Sequence, residues 1–178
     1  MRRSSRDRIV AGALTVIERD GIDGLTFEAL AEQVGLTRGG IVYHFRTRED
    51  LVAGIASDLL ARWKAEALEA LGKPFETATR AERITALAVS VLDGVLLPGE
   101  LAFLVSGRPE AAGLNRAWDA FQRQWVGDPR TLAPAQRVGL LAVSGWWVEL
   151  ASGKDRAEAM DAGTRELIVS LVSGGRGL

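Results

Sequence analysis

Residues 25–45 read LTFEALAEQVGLTRGGIVYHF, and this stretch decides the fold. Thr26 is a good helix cap, because its hydroxyl can accept from a free N–H of the first turn. Phe27, Leu30, Ala31 and Val34 follow at three- and four-residue spacing, one apolar face of a short helix. Gly35 ends that helix, and only Leu36 separates it from Thr37, the next cap. The helix that Thr37 opens runs to about Phe45, with Ile41, Val42 and Phe45 inward. Two short helices joined by so short a glycine turn make a helix-turn-helix. The turn has to be tight, so that one helix braces the other while the second enters the major groove. Gly35 supplies the left-handed position, Leu36 plugs the turn into the core, and Thr37 is also placed to reach a phosphate.

The rest of the chain repeats the helical period. A first helix covers about Ser5 to Asp20, with Ile9, Val10, Ala13, Leu14 and Ile17 on one stripe. Thr47 and Asp50 form a box like a capping box, opening a long helix to about Leu71 with Leu51, Ile55, Leu59, Leu60, Trp63, Ala67 and Leu68 inward. Gly72-Lys73-Pro74 is the clearest break. Thr79 and Glu82 box a fifth helix, with Ile84, Leu87, Ala88, Val91, Leu92 and Val95 on its face. A short apolar piece runs from Glu100 to Ser106. A further helix holds Leu114, Ala117, Trp118, Phe121 and Trp125. Pro134 opens the helix from about Ala135 to Ser152, and Asp155 with Glu158 boxes the last, which carries Met160, Leu167, Ile168, Leu171 and Val172. Period-two runs of β-branched residues are missing. The expectation is an all-α protein of about nine helices: a three-helix head over residues 1–47, and a helical domain for ligand binding and dimerisation over 48–178.

Composition removes several functional classes. The 178 residues include no cysteine and one histidine. Disulfides, thiol nucleophiles and Cys zinc sites are excluded, and so are two-His metal motifs and most His-centred catalytic sets; no cofactor is expected. No apolar run approaches the ~18 residues of a membrane span, and the arginine-rich start lacks a signal-peptide pattern. A cytoplasmic protein that does not bind membranes is expected. The net charge of −1 speaks against a nucleic-acid binder until it is read by segment. Met1 to Arg8 hold four arginines against one acid, and Thr37 to Arg48 hold three arginines and no acid. The acids Glu18, Asp20, Asp23, Glu28 and Glu32 lie between these runs.

Gly21, Leu25-Thr26 with Ala31, Gly35-Leu36-Thr37, Arg38-Gly39-Gly40-Ile41-Val42-Tyr43-His44-Phe45 and Thr47-Arg48-Glu49-Asp50-Leu51 stand in a fixed order and spacing. In this set the chain resembles the TetR family of transcriptional repressors, over roughly its first third. The resemblance implies a homodimer on a near-palindromic double-stranded DNA operator, released by a small effector. One departure concerns tyrosine. Many members carry it at the position of Val42, whereas here Tyr43 comes one place later, as in a variant subgroup ending Gly-Gly-x-x-Tyr-His-Phe. One residue turns a helical side chain by about 100°, so the usual tyrosine–phosphate contact does not transfer by position. Val42 packs inward by the stripe, and Tyr43 is exposed and available to DNA.

The DNA-facing set then follows. Arg38 is the base reader, since arginine pairs bidentately with guanine. Gly39 and Gly40 let the helix backbone sit close to the bases; a tight helix start is the alternative reading. Thr37, Tyr43, His44 and Arg48 are phosphate contacts, Arg48 taking the place of the family's usual lysine, and Thr26 completes the set. His44 fits a structural role equally.

All five tryptophans fall after the head. Trp63, Phe103, Trp118, Phe121, Trp125 and Trp146 are the expected lining of a site for an apolar or aromatic effector; ordinary core packing is the alternative. The helix from Ala135 is apolar nearly all round and needs cover on two sides. With the last helix it forms the expected dimer face, through Leu141, Gly145, Leu167, Ile168 and Leu171; a central helix within one chain is the alternative. A small all-α enzyme and a protein-interaction module are the other functional readings. The first lacks a nucleophile–base pair or metal set, and activation in place of repression stays open.

Overall fold

The structure is a computed structural model that describes residues 5–155 and 160–175. Nine α-helices occur among the described residues, and no strand: α1 (Ser5–Asp20), α2 (Phe27–Val34), α3 (Arg38–His44), α4 (Arg48–Leu71), α5 (Arg80–Asp93), α6 (Glu100–Leu104), α7 (Pro109–Val126), α8 (Pro134–Ala151) and α9 (Ala162–Ser173). Short 3₁₀ turns at Ile22–Gly24, Phe75–Thr77 and Pro129–Thr131 join them. No helix of the described residues is long and apolar enough to cross a membrane.

The backbone separates into two compact units. The first holds residues up to 61 together with 96–117, and the second holds 62–95 together with the residues from 118 onward. Helices α4 and α7 are thus each divided between the units.

In the first unit α1 packs on α2 and on α6, and α2 packs on α3. The α1 stripe is buried as expected, and Val16 is buried beside it. Two glycines set the spacing. A Cβ on Gly12 would overlap the Val34 side chain, which packs directly on the α1 backbone there. Gly99, at φ +74°, lies against the Leu14 carbonyl in the same way. Phe45 closes the end of α3 with its ring against Gly54 of α4, where no Cβ would fit. Ile41 is fully buried and anchors α3; truncating such a residue to alanine costs about 2–5 kcal/mol.

In the second unit α9 packs on α5 and α8, and α5 on α8. Thr79 and Glu82 make the expected capping box, each accepting from the other's backbone N–H. Gln136 accepts from the Ala133 N–H, and Pro134 fills the first position of α8, where its missing N–H loses nothing.

Three expectations are corrected. The last helix opens at Ala162, where Asp161 accepts from the Thr164 N–H at 2.8 Å, and not at an Asp155–Glu158 box; Glu158 lies outside the described residues. Val95 is exposed because α5 stops at Asp93, two residues before it. Leu68 is exposed on α4.

Candidate nucleic-acid interface

The interface is built by local hydrogen-bond chemistry. Thr26 accepts from the Ala29 N–H at 3.1 Å and starts α2. Gly35 ends it at φ +65°, ψ +38°, a conformation costly to any residue with a Cβ. The Leu36 N–H then reaches back to the Ala31 carbonyl at 3.0 Å, closing a Schellman turn. Arg8 donates to the Val34 carbonyl at 3.0 Å and satisfies another orphan acceptor of α2. Thr37 accepts from the Gly40 N–H at 3.1 Å and starts α3. The Phe45 N–H bonds the Ile41 carbonyl at 2.9 Å where α3 ends. Thr47 and Asp50 cap α4 reciprocally, at 3.1 and 3.0 Å.

With Ile41 and Phe45 buried, the opposite face of α3 is turned outward. Tyr43 is 85% exposed, with its ring edge-on to His44 at 5.2 Å; His44 is half-buried and Val42 half-buried. Arg38 is exposed and donates from Nε to Glu28 Oε1 at 2.8 Å. A Cβ on Gly39 would come no closer than 3.9 Å to Thr37 Oγ1, and one on Gly40 would sit at 3.4 Å. Neither glycine has a positive φ. The fold therefore does not demand glycine at 39 or 40, which removes the tight-start explanation for the pair.

The basic residues differ in how they are held. Arg6 donates from Nη1 to both oxygens of the Asp58 carboxylate, with its guanidinium 5.4 Å from the Phe45 ring centre. Arg48 donates to the Leu25 carbonyl at 3.0 Å and to that of Ile22, tying the start of α4 to the α1–α2 loop. Arg46 is exposed just past α3. Counting charges along the chain does not separate these: Arg6, Arg8 and Arg48 brace the head, while Arg38 and Arg46 face out. Glu28 is the residue that reading by charge passed over, because its partner lies ten positions on, across the turn.

The aromatic set is largely brought together in the second unit. Trp63 meets Trp118 at 5.4 Å, Trp118 stacks on Phe121 at 5.3 Å, and Phe121 meets Trp125 at 5.1 Å. Phe75 extends the row, 5.4 Å from Trp125. Trp146 is buried in the same core. Phe103 is fully buried in the first unit and is not part of this row. On α5, Asp93 is paired with Arg165 at 2.6 Å, and Ser90 donates to the Leu87 carbonyl. Among the described residues no three His, Asp or Glu side chains gather as metal ligands.

On α8, Leu141 is 72% exposed, and Val138, Gly145 and Val148 share its outer face. Leu167 of α9 is exposed as well. Ile168 is buried in its own core and Leu171 half-buried, because Gly139 lets α9 close on α8: a Cβ there would stand 2.7 Å from Val172 and 3.1 Å from Leu171.

Comparison with known proteins places this geometry. Residues 9–55 match the model described as bacterial regulatory proteins, tetR family. The chain is 30% identical over 80 residues to the tetracycline repressor protein class D of Escherichia coli, covering 45% of this chain and 37% of that one. It is 29% identical over 137 residues to the HTH-type transcriptional repressor AcnR of Corynebacterium glutamicum, covering 77% of this chain and 64% of that one. The chain thus spans less than two thirds of the length of these relatives. Its fold is similar to that of AibR, solved in complex with isovaleryl coenzyme A and operator DNA, with a TM-score of 0.62 at 15% identity over 97% of this chain and 98% of that one. The residues that cap, turn and bury α2 and α3 fall within the stretch that matches the tetR-family model.

Proposed function

We propose that the chain is a ligand-responsive, DNA-binding transcriptional regulator of the TetR family, a cytoplasmic homodimeric repressor released from a near-palindromic operator by a small, apolar or aromatic effector. The observation that carries this reading is the outward face of α3. Arg38 and Tyr43 stand exposed there, and two glycines that the fold does not require leave the backbone bare between them. Residues 1–47 form the DNA-binding part, and 48–178 the part for effector and dimer. Two copies of α3 one helical turn apart, near 34 Å, reach successive major grooves. The ending Gly39-Gly40-Ile41-Val42-Tyr43-His44-Phe45 defines the recognition-helix variant, with Tyr43 as its outward tyrosine. Relatives named as repressors, and a neighbour solved with both a ligand and operator DNA, support the reading.

The effector sits against the row Trp63, Trp118, Phe121 and Trp125, and the dimer forms through Leu141, Gly145 and Leu167. Release is a population shift, which requires the effector to bind two states of the protein unequally. Helix α4 is the lever, since one continuous helix carries both Arg48 and Trp63.

The test is enrichment of double-stranded oligonucleotides from a randomised pool, followed by salt titration of the enriched sequence. A binder that neutralises several phosphates loses affinity with a log–log slope of about −0.9 per phosphate. No enrichment over unselected DNA, or a flat titration, overturns the proposal and leaves a protein-interaction module.

A further inference from the structure

Arg38 does not stand alone on the outer face of α3. Its Nε donates to Glu28 Oε1 at 2.8 Å, and its guanidinium carbon lies 5.9 Å from the centre of the Phe27 ring. Both contacts come from the first turn of α2, one residue and two residues past the Thr26 cap. The pair is open to solvent, with 65% of the Arg38 side chain and 69% of the Glu28 side chain exposed. Ion pairs of this kind add little to folding stability. A carboxylate on a face that meets phosphates also opposes binding to DNA of any sequence. A carboxylate in the first turn of α2 favours that helix end through its dipole, but neither that role nor general affinity calls for Arg38 as its partner.

We propose that Glu28 is a specificity-determining residue that positions Arg38 for a guanine. This rests on the DNA-binding reading above. A guanidinium has five N–H donors. Holding Nε on Glu28 leaves the two terminal nitrogens pointing forward, the pair that spans guanine O6 and N7 end-on. The Phe27 ring borders the guanidinium, so part of the rotamer freedom is lost before DNA arrives. The carboxylate has a second effect. When Arg38 swings to a phosphate, Glu28 is left uncompensated beside the backbone, so the non-specific mode is penalised. Discrimination then comes from a disfavoured alternative as well as from a favoured contact.

The experiment uses the full chain, the oligonucleotide enriched from a randomised pool, the same duplex with single guanines replaced by 7-deazaguanine, and an unrelated duplex. In the wild type, one replacement should weaken binding by about 5-fold or more, the loss of the N7 half of a bidentate pair, and Arg38→Ala should abolish that sensitivity. Glu28→Ala should shrink the sensitivity at the same guanine and strengthen binding to the unrelated duplex. Glu28→Gln keeps an oxygen for Nε, so it should retain the guanine sensitivity while binding the unrelated duplex more tightly. In the Arg38→Ala background, Glu28→Ala should leave guanine sensitivity unchanged. Glu28→Ala that tightens both duplexes by one common factor, with guanine sensitivity intact, overturns the proposal: Glu28 would be only a repelling charge. Should Glu28→Ala fail to fold, Glu28→Gln decides by itself, since an unchanged preference between the two duplexes overturns the penalty. If Arg38→Ala leaves every guanine equally sensed, Arg38 is not the base reader and the proposal falls with it, while enrichment from the pool still stands. If nothing is enriched, DNA binding itself is lost.

Discussion

Arg108 donates to the Asp23 carboxylate at 2.6 Å, joining residues 85 positions apart in the chain. The Arg48 guanidinium stands 3.9 Å from the same carboxylate but spends its hydrogen bonds on the Leu25 and Ile22 carbonyls. The two arginines therefore differ in what they hold. Arg108 pairs with a side chain that is 88% exposed, an interaction worth under about 1 kcal/mol. Arg48 satisfies partly buried carbonyls with a charged donor, so Arg48→Ala should cost about 1–3 kcal/mol. Urea unfolding of the two alanine variants checks this ordering, and equal losses would contradict it.

Gly39→Ala should separate stability from binding. Alanine is favoured over glycine in a helix by about 1 kcal/mol, and nothing in the fold resists the new methyl group. The midpoint of thermal unfolding should rise or hold. Affinity for the enriched duplex, read by fluorescence anisotropy, should fall. A variant that is more stable and binds equally well would show that α3 does not approach DNA at this point.

Leu141→Glu and Ile168→Ala should fail in different ways. Leu141 is 72% exposed, so a charge there leaves the folded chain intact and breaks the proposed dimer. Sedimentation should report a folded monomer with weakened operator binding. Ile168 is 5% exposed and holds α9 to its own core. Its truncation should cost about 2–5 kcal/mol of folding stability. A Leu141→Glu protein that still sediments as a dimer places the interface elsewhere.

Acid should test the cap of α5. Glu82 is held to about 2, well below its ordinary 4.5, first by the Lys73 ammonium and then by the backbone N–H and hydroxyl of Thr79. A carboxyl depressed in the folded state stabilises it above the unfolded value and loses that contribution as pH falls toward the folded one. Glu82→Gln keeps an acceptor for Thr79 but no charge for Lys73. The stability gap between wild type and Glu82→Gln should be open at neutral pH and narrow between about 4.5 and about 2. A gap that does not vary with pH in that range would contradict the assignment.

What the chain makes legible follows from range. Thr26, Gly35, Thr37, Thr47 and Asp50 act within a few residues of themselves, and each caps or turns the backbone where its spacing predicts. The buried stripe of α1 is equally readable, since Ile9, Val10, Ala13, Leu14 and Ile17 answer to helical period alone. Arg48 is different. At the end of a run of three arginines without an acid, and in the place of the family's usual lysine, it reads as a phosphate contact, and only folding brings the Leu25 and Ile22 carbonyls to it. Glu28 and Arg38 meet because the turn is tight, which no count of charges along the chain reveals. Phe103 reads like the other aromatic residues yet belongs to a different unit. Ile168 and Leu141 are both apolar positions on helices, and tertiary packing alone sorts one inward and the other out.

Helix α1 is seated differently on its two sides. On one side the Val34 side chain of α2 fills the notch at Gly12, and on the other Gly99 stands directly against the Leu14 carbonyl. Long side chains absorb small displacements by changing rotamer, whereas close-packed contacts of this kind have nothing to compress and pass strain onward. A shift of α6 therefore has no side chain to take it up before α1, whereas a shift of α2 meets the Val34 side chain first. Any side chain at position 12 would be driven into Val34, and any at position 99 into the Leu14 carbonyl, so substitutions at either glycine would wedge these helices apart and cost folding stability.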